Sequence, residues 1–440
     1  MNMKFWQTVG KHSNSVLSKT DPEIFSIVDR ENLRKNNTIE LIASANTVSP
    51  AVLEAMGSEL INKVVEGYIG QRYFSGCTEI DKLENLAIHR AKQVFGATYA
   101  NVQPHSCSQA NQSVHLALMK PGDSFLGMDL MHGGHLSHGA RTTLTAHHYT
   151  SLSYPVSRED EYLDYDQILK QAKEVRPKLI IAGASAYSRT IDFKRFRDIA
   201  DQVGAFLLVD MAHIAGLVAA GLHPSPIAHA HIVTSSTQKT LRGPRGGIAL
   251  MGKETANEYG HKLDSAIFPG LQGAAHMHTI AAKAVALEEA LQPDFVVYQQ
   301  NVLDNAKTLA EALMQSGFRL VSGGTDNHLM ILDLRSQGMT GKEAEERLEN
   351  VGITVNKNLI PYDLQKPWIC SGIRIGTAAV TTRGFGPTEM HAIATMLDKI
   401  LNKKLTAQII QEVRHQVSII CRHHPLHIEE DIDNEHSYRA

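Results

Sequence analysis

Ser235-Ser236-Thr237-Gln238-Lys239-Thr240-Leu241-Arg242-Gly243-Pro244-Arg245-Gly246-Gly247 follows a short β-branched run at 231–234 and sets one lysine between a strand end and a tight turn. Earlier in the chain the apolar run 205–209 closes on Asp210. A carboxylate at the end of one buried strand and an amine just past a later one are the pair that pyridoxal phosphate chemistry needs. The lysine would hold the aldehyde as a Schiff base, and the aspartate would keep the pyridine nitrogen protonated so that the ring accepts electrons from a bond breaking at a substrate Cα. Asp210 has a competing duty as a helix N-cap; the following Met211-Ala212-His213 favours a polar pocket floor.

Working outward, helical patterns alternate with short apolar runs at 178–182, 205–209, 231–234 and 247–251. Such alternation predicts crossover helices on a largely parallel sheet. The stretch 193–203 reads as a helix stopped by Gly204, with a strand starting at once. The long helical region 277–316 breaks at Pro293, two strand-like runs follow at 319–321 and 329–334, and Thr340-Gly341-Lys342-Glu343 has capping-box spacing before a helix expected to end at Gly352. Strands at 353–355 and 372–375 and two helices over 388–424 complete a smaller α+β layer. The predicted organisation is an N-terminal arm over 1–40, with a helix starting at Asp21-Pro22-Glu23, a large domain over 41–291 and a small domain over 292–440 ending in a mobile tail from about 425.

The 440 residues are 43% hydrophobic and 20% charged, the make-up of an ordinary folded protein. A net charge of -3 with scattered basic residues offers no face for nucleic acid. No run approaches the ~18 apolar residues that span a bilayer, and the four cysteines, Cys77, Cys107, Cys370 and Cys421, lack paired spacing. The expectation is a cytoplasmic protein without nucleic-acid or membrane partners.

Other segments add chemistry. Small residues opening a helix supply backbone NH groups to a phosphate, and Ser106-Cys107-Ser108-Gln109-Ala110-Asn111 before a helical run at 112–119 fits this or an ordinary N-cap. His132-Gly133-Gly134-His135 would place an imidazole over an aromatic ring, with zinc as the competitor although no third ligand is forced by spacing. Arg374, in Ser371-Gly372-Ile373-Arg374-Ile375-Gly376-Thr377, would clamp a carboxylate with two bonds or serve a structural ion pair. The His-rich stretch 421–427 lacks regular ligand spacing and reads as a solvated tail.

Together these segments resemble serine hydroxymethyltransferase, a fold-type I pyridoxal phosphate enzyme with an aspartate aminotransferase-like α/β fold. The resemblance runs from about Leu41 to Leu401. It rests on Ala100-Asn101-Val102-Gln103-Pro104-His105-Ser106, His132-Gly133-Gly134-His135-Leu136, the segment from Val209-Asp210-Met211 to Leu217, the lysine loop, and Ser322-Gly323-Gly324-Thr325-Asp326-Asn327-His328. It implies that Lys239 is the Schiff-base lysine, Asp210 the pyridinium partner and His135 the stacking histidine. Ser106, Cys107 and Ser108 would form the phosphate cradle, with Gln238 beside the lysine; Ser44, Ser185, His213 and Arg374 would surround the amino acid. Glu66 would be the acid/base carboxylate and, like Gly273, would reach the site of a neighbouring subunit, so that a homodimer, or dimers paired into a tetramer, is implied. Leu130, Gly134, Leu136 and Asn358 fall where the family contacts tetrahydrofolate.

The chain also departs from that pattern. Ala45 stands for a glutamate, Val64 for a tyrosine on the phosphate, and Phe74 for a tyrosine beside the reacting Cα, where phenylalanine offers no proton. Cys107 replaces a glycine and Gln238 a histidine; Ile69, Gln71, Ser75, Ala274, Ala275 and Ala378 differ from the usual Pro, Lys, Gly, Gly, Pro and Pro. These changes gather at one pocket and point to a specialised paralogue. The implied activity is interconversion of serine and glycine with one-carbon transfer to tetrahydrofolate. The alternatives are a folate-independent aldolase or transaldolase on other β-hydroxy or α-methyl amino acids, and a cofactor-binding regulator without turnover.

Overall fold

The computed structural model describes residues 15–401 and 404–426. The larger sheet has seven strands: β1 (Tyr99–Asn101), β2 (Ser124–Met128), β3 (Thr150–Tyr154), β4 (Leu179–Ala182), β5 (Phe206–Asp210), β6 (Ile232–Ser236) and β7 (Gly247–Met251). They lie in the order β1-β7-β6-β5-β4-β2-β3. Strands β6 through β3 pair in parallel, whereas β7 runs against both its neighbours. The sheet is therefore mostly parallel, as the alternation of helices and apolar runs predicts.

Side chains on alternate faces build two cores. Leu126, Ile180, Leu207, Val209, Val233 and Leu250 face one layer, while Phe125, Leu179, Ile181, Leu208, Ile232 and Met251 face the other. Burial on both sides explains why these strands read as unbroken apolar runs. The helix Phe193–Val203 buries Phe193, Phe196, Ile199 and Ala200, spaced along one stripe, and ends at Gly204 in the left-handed conformation (φ 69°) that a Cβ disfavours.

A smaller antiparallel sheet contains β8 (Arg319–Leu320), β9 (Leu329–Asp333), β10 (Asn356–Asn358) and β11 (Gly372–Gly376), in the order β8-β9-β11-β10. Its core is joined by the helices Pro387–Leu401 and Ala407–His423. The helix Pro293–Gln315 belongs to both cores: Phe295, Tyr298 and Val302 pack on the large sheet, and Ala306, Leu309 and Leu313 on the small one. The helix that Thr340 caps spans Gly341–Glu349 and stops before Gly352, because Asn350 already ends the ladder.

At the N-terminal side, Asp21 Oδ1 accepts from Ile24 N at 3.0 Å and starts the helix Pro22–Asn36, none of whose residues is buried. The following pair Ile39–Glu40 lies parallel to Ile353–Thr354 and adds Ile39 and Leu41 to the small core. The first 14 residues of the expected arm and the tail from 427 lie outside the described residues. All four cysteines are free. No helix among the described residues is long and apolar enough to cross a membrane.

Candidate active site

Parallel strands end together at their carboxyl edge, and the loops leaving β2, β4, β5 and β6 open there onto a cavity of about 460 Å³. Asp210 is the last residue of β5, Ser236 the last of β6, and Lys239 follows three residues later. Ser106 N-caps the helix Cys107–Leu118, which starts earlier than the run 112–119 suggested. Arg374 enters from the small sheet, on β11.

The cavity is lined by Ser44, Ser106, Cys107, Ser108 and Ser185, by Leu130, Gly134, His135 and Leu136, and by Asp210, His213, Gln238, Lys239 and Arg374. Four other expected site residues do not line it. Glu66 and Gly273 sit side by side elsewhere, a Cβ on the glycine falling 3.7 Å from Glu66 Oε1. Phe74 is 44% exposed, near exposed Val64 and Tyr73 in the chain. Asn358 lies on β10, where its side-chain amide donates to the Leu359 carbonyl at 2.6 Å.

Asp210 is held by four donors. His138 Nε2 lies 2.9 Å and Asn111 Nδ2 2.8 Å from Oδ2, while Oδ1 accepts from Ala212 N at 3.0 Å and from the Cys107 thiol at 3.5 Å. The aspartate is therefore a pocket floor and caps no helix. Burial alone would raise its carboxyl pKa; the hydrogen bond from His138 and the nearby charge of Lys239 outweigh this and hold it well below the usual range. The backbone NH of His135 donates to His138 Nδ1 at 3.2 Å, which leaves the Nε2 proton for Asp210. His138 and Asn111 thus keep the floor anionic.

The remaining titratable groups are shaped mainly by burial. It lowers the Lys239 ammonium, against the opposing pull of Asp210, and so favours a free amine. It also drops His135 to about 4 and, with the charges of Lys239 and Arg374, pushes His213 far below its ordinary value. Both imidazoles are neutral at pH 7. Burial, with Asp210 beside it, raises the Cys107 thiol, which stays protonated and can donate. Arg374 falls to about 10 for the same reason and keeps its charge.

The Arg374 fork is partly engaged. Nη1 donates to the Ser185 carbonyl at 2.7 Å and to its hydroxyl at 3.1 Å, and Nε to Asn356 Oδ1 at 3.2 Å. No carboxylate pairs with it among the described residues, so the structural ion pair weighed from sequence is not formed. Nη2 keeps its protons for a ligand. The two-bond clamp expected from the sequence then needs Nη2 alone or displacement of the Ser185 hydroxyl.

Several cavity features fit pyridoxal phosphate. Ser236 Oγ and Gln238 Oε1 are buried against the cavity with no hydrogen-bond partner, a state that native interiors rarely leave unmet. The first amides of the helix Cys107–Leu118 have no intrahelical acceptor, and Arg245 adds a cation to the same wall. A Cβ at Gly247 would overlap the Ser106 carbonyl, so only glycine lets the lysine loop approach the cradle. Unpartnered polar atoms, free helix amides and the anionic Asp210 thus share one cavity, the features a phosphorylated pyridine requires.

The chain matches the family model for serine hydroxymethyltransferase over residues 17–397. It belongs to the serine hydroxymethyltransferase family. Its fold is that of the fold-type I pyridoxal phosphate enzymes, and the family binds this cofactor, uses tetrahydrofolate and acts on amino acids as an oligomer.

Sequence reasoning missed His138, although it stands one helical turn after His135 and the intervening Leu136–His138 turn carries it to Asp210. It also passed over His105, Arg245 and Gly246 as lining residues. His135, His138 and Asp210 supply the third metal ligand that spacing did not, and among the described residues their ligand atoms form the one group within 4.8 Å. Those atoms are already committed, however, since His138 donates to Asp210. His132 is no partner of His135: its Nδ1 accepts from Val156 N at 3.3 Å and its ring packs edge-on against Tyr362. In the His-rich stretch, His423 bonds its own helix and His424 lies 3.5 Å from Glu389; His427 is outside the described residues.

Proposed function

We propose that this protein interconverts serine and glycine by breaking and forming the Cα–Cβ bond, with the one-carbon unit passing to tetrahydrofolate. One observation carries the reading: Lys239, Asp210, His135 and Arg374 converge on a single cavity although they come from four separate chain segments. Lys239, Asp210, His135, Ser106, Cys107, Ser108, Ser236 and Gln238 would hold pyridoxal phosphate. Bound there, the cofactor supplies an electron-accepting ring conjugated to the substrate amine.

The chain's own groups do the rest. Lys239, its pKa lowered by burial, would hold the cofactor's aldehyde through its free amine. Asp210, kept anionic by His138 and Asn111, holds a proton on the ring nitrogen. Arg374 fixes the substrate carboxylate through Nη2, and Ser185 and His213 flank it, their side chains 3.4 Å apart. Leu130 and Leu136, at 41% and 51% exposure, form the apolar rim where the folate ring would lie.

Glu66 is the proposed acid/base group at the substrate β-hydroxyl, and it acts in a neighbouring subunit. Its absence from the lining of its own chain's cavity, its position beside Gly273 and the exposed Val64, Tyr73 and Phe74 support a homodimer whose sites are completed across the interface. A reducing cytoplasm is the proposed location, consistent with four free cysteines.

A second reading, a folate-independent aldolase or transaldolase on larger or α-substituted β-hydroxy amino acids, is favoured by Phe74 and Ala45, which remove a phenol and a carboxylate from the reaction zone. Assays of serine cleavage with and without tetrahydrofolate, followed by threonine and α-methylserine, separate the two. Folate-dependent cleavage supports the first reading, and turnover of the bulkier substrates without folate supports the second. A cofactor absorption band that moves with no amino acid at all would overturn both.

A further inference from the structure

Between β1 and the helix Cys107–Leu118 the chain runs through Val102, Gln103 and Pro104 outside any strand, yet Val102 and Gln103 are buried. Backbone polar groups in such a place need partners from elsewhere. Two side chains provide them. Gln272 donates to the Gln103 carbonyl at 2.8 Å and accepts from His105 N at 3.2 Å. Lys283 Nζ donates to the Val102 carbonyl at 2.7 Å and to the Pro104 carbonyl at 3.0 Å.

The third Lys283 bond reaches another segment. Nζ donates at 2.8 Å to the carbonyl of Gly247, the first residue of β7, directly after the turn that follows Lys239. Pro104 also accepts from Gly247 N at 3.0 Å, so the two segments are tied twice. The packing leaves no slack: a Cβ at Gly246 would overlap Lys283 Cε, and one at Gly247 would overlap the Ser106 carbonyl. The Lys239 loop is closed on itself by Gly243 N to the Thr237 carbonyl at 2.7 Å, so its position follows that of Gly246 and Gly247.

Lys283 is 1% exposed, and all three of its bonds go to backbone carbonyls. Burial lowers its pKa to about 7 against the opposing pull of Glu84, so its retention here is costly, and an apolar side chain of similar length would leave the carbonyls without this donor.

We infer that Lys283 is a positioning residue for the cofactor, its ammonium fixing the phosphate cradle at 106–108 against the loop that carries Lys239. This rests on the pyridoxal phosphate reading above. It adds a residue that touches neither cofactor nor substrate and lies on the helix Met277–Ala290, behind the cavity.

The test compares wild-type holoprotein with Lys283→Met and Lys283→Gln. Pyridoxal phosphate dissociation constants are measured by absorbance, and melting temperatures with and without the cofactor. The expected result is cofactor affinity weakened by about tenfold or more in Lys283→Met, the scale of a lost buried hydrogen bond to a charged group. Lys283→Gln, which keeps an NH2 donor, should lose less; the cofactor-free variants should melt below the wild type, and the holoproteins should lose more. Unchanged affinity in Lys283→Met, or an equal fall in melting temperature with and without cofactor, overturns the inference. If Lys283→Met does not fold, Lys283→Gln with wild-type affinity overturns it. A wild-type protein that takes up no pyridoxal phosphate removes the functional reading itself, and this inference with it.

Discussion

The cavity edge of the large sheet and the segment around Glu66 are built on opposite terms. In the first, Lys239 and Asp210 are buried, bonded and packed into a rigid floor by the chain's own residues. In the second, Val64, Ile69, Tyr73 and Phe74 are exposed apolar side chains, although Glu66, Gly67 and Arg72 are anchored to their surroundings. Capture of an aldehyde is thus prepared within one chain, whereas Glu66, the proposed acid/base group, does not line that chain's cavity, and the proposed homodimer has a second copy use it. The departures from the family pattern divide the same way. Cys107 and Gln238 alter the buried floor, and Val64, Ile69, Gln71, Phe74 and Ser75 alter the exposed segment.

The sharpest way to break this contrast is to remove the amine. Lys239→Ala is expected to reduce turnover by about a thousandfold or more, the scale of a lost nucleophile, with the cofactor absorption band no longer that of a lysine-bound species. Next, Glu66→Gln and Lys239→Ala proteins, each inactive alone, should regain about a quarter of wild-type activity when unfolded together and refolded as mixed dimers, because one intact site forms in each hybrid. No recovery would place Glu66 in its own chain's site, against the division drawn here. Arg374→Lys loses the planar fork and should raise KM for serine roughly tenfold or more with a smaller change in kcat; equal loss in both would give the arginine a role beyond holding the carboxylate.

The caps and periods of this fold were open to sequence reading because they are local. Gly204, Pro293 and the Thr340-Glu343 pair act within a turn of their own position, and the strands named from sequence lie within two residues of the observed ones, whereas β1, β2, β3 and β10 were not singled out. The pocket floor was half legible: Asp210 and Lys239 announced themselves by standing at strand ends. His138, Asn111 and Lys283 did not, since each is defined by a partner at least 72 residues away. Asn358, expected at the folate site, is not among the residues lining the cavity, and its amide bonds the adjoining Leu359 carbonyl.

A further expected effect concerns acid. Burial, with the charges of Arg374 and Lys239, depresses His328 to about 3, and His213 beside it also lies far below its ordinary value. Their rings are 5.5 Å apart, with His213 Nδ1 3.3 Å from His328 Nε2. The unfolded chain, with ordinary histidines near 6.5, binds more protons below that pH, so stability falls as the pH drops from about 6.5 toward 3. Each pH unit in that window should remove up to about 1.4 kcal/mol per histidine. His328→Gln should flatten the dependence of melting temperature on pH, and an unchanged slope would show that the imidazole pair does not carry it.

The central claim is a covalent link between one amine and the cofactor. Reduction of the purified holoprotein with borohydride, followed by peptide mapping, is predicted to leave a pyridoxyl group on Lys239 and on no other lysine. A label elsewhere, or none in a protein that retains its cofactor, would contradict the account.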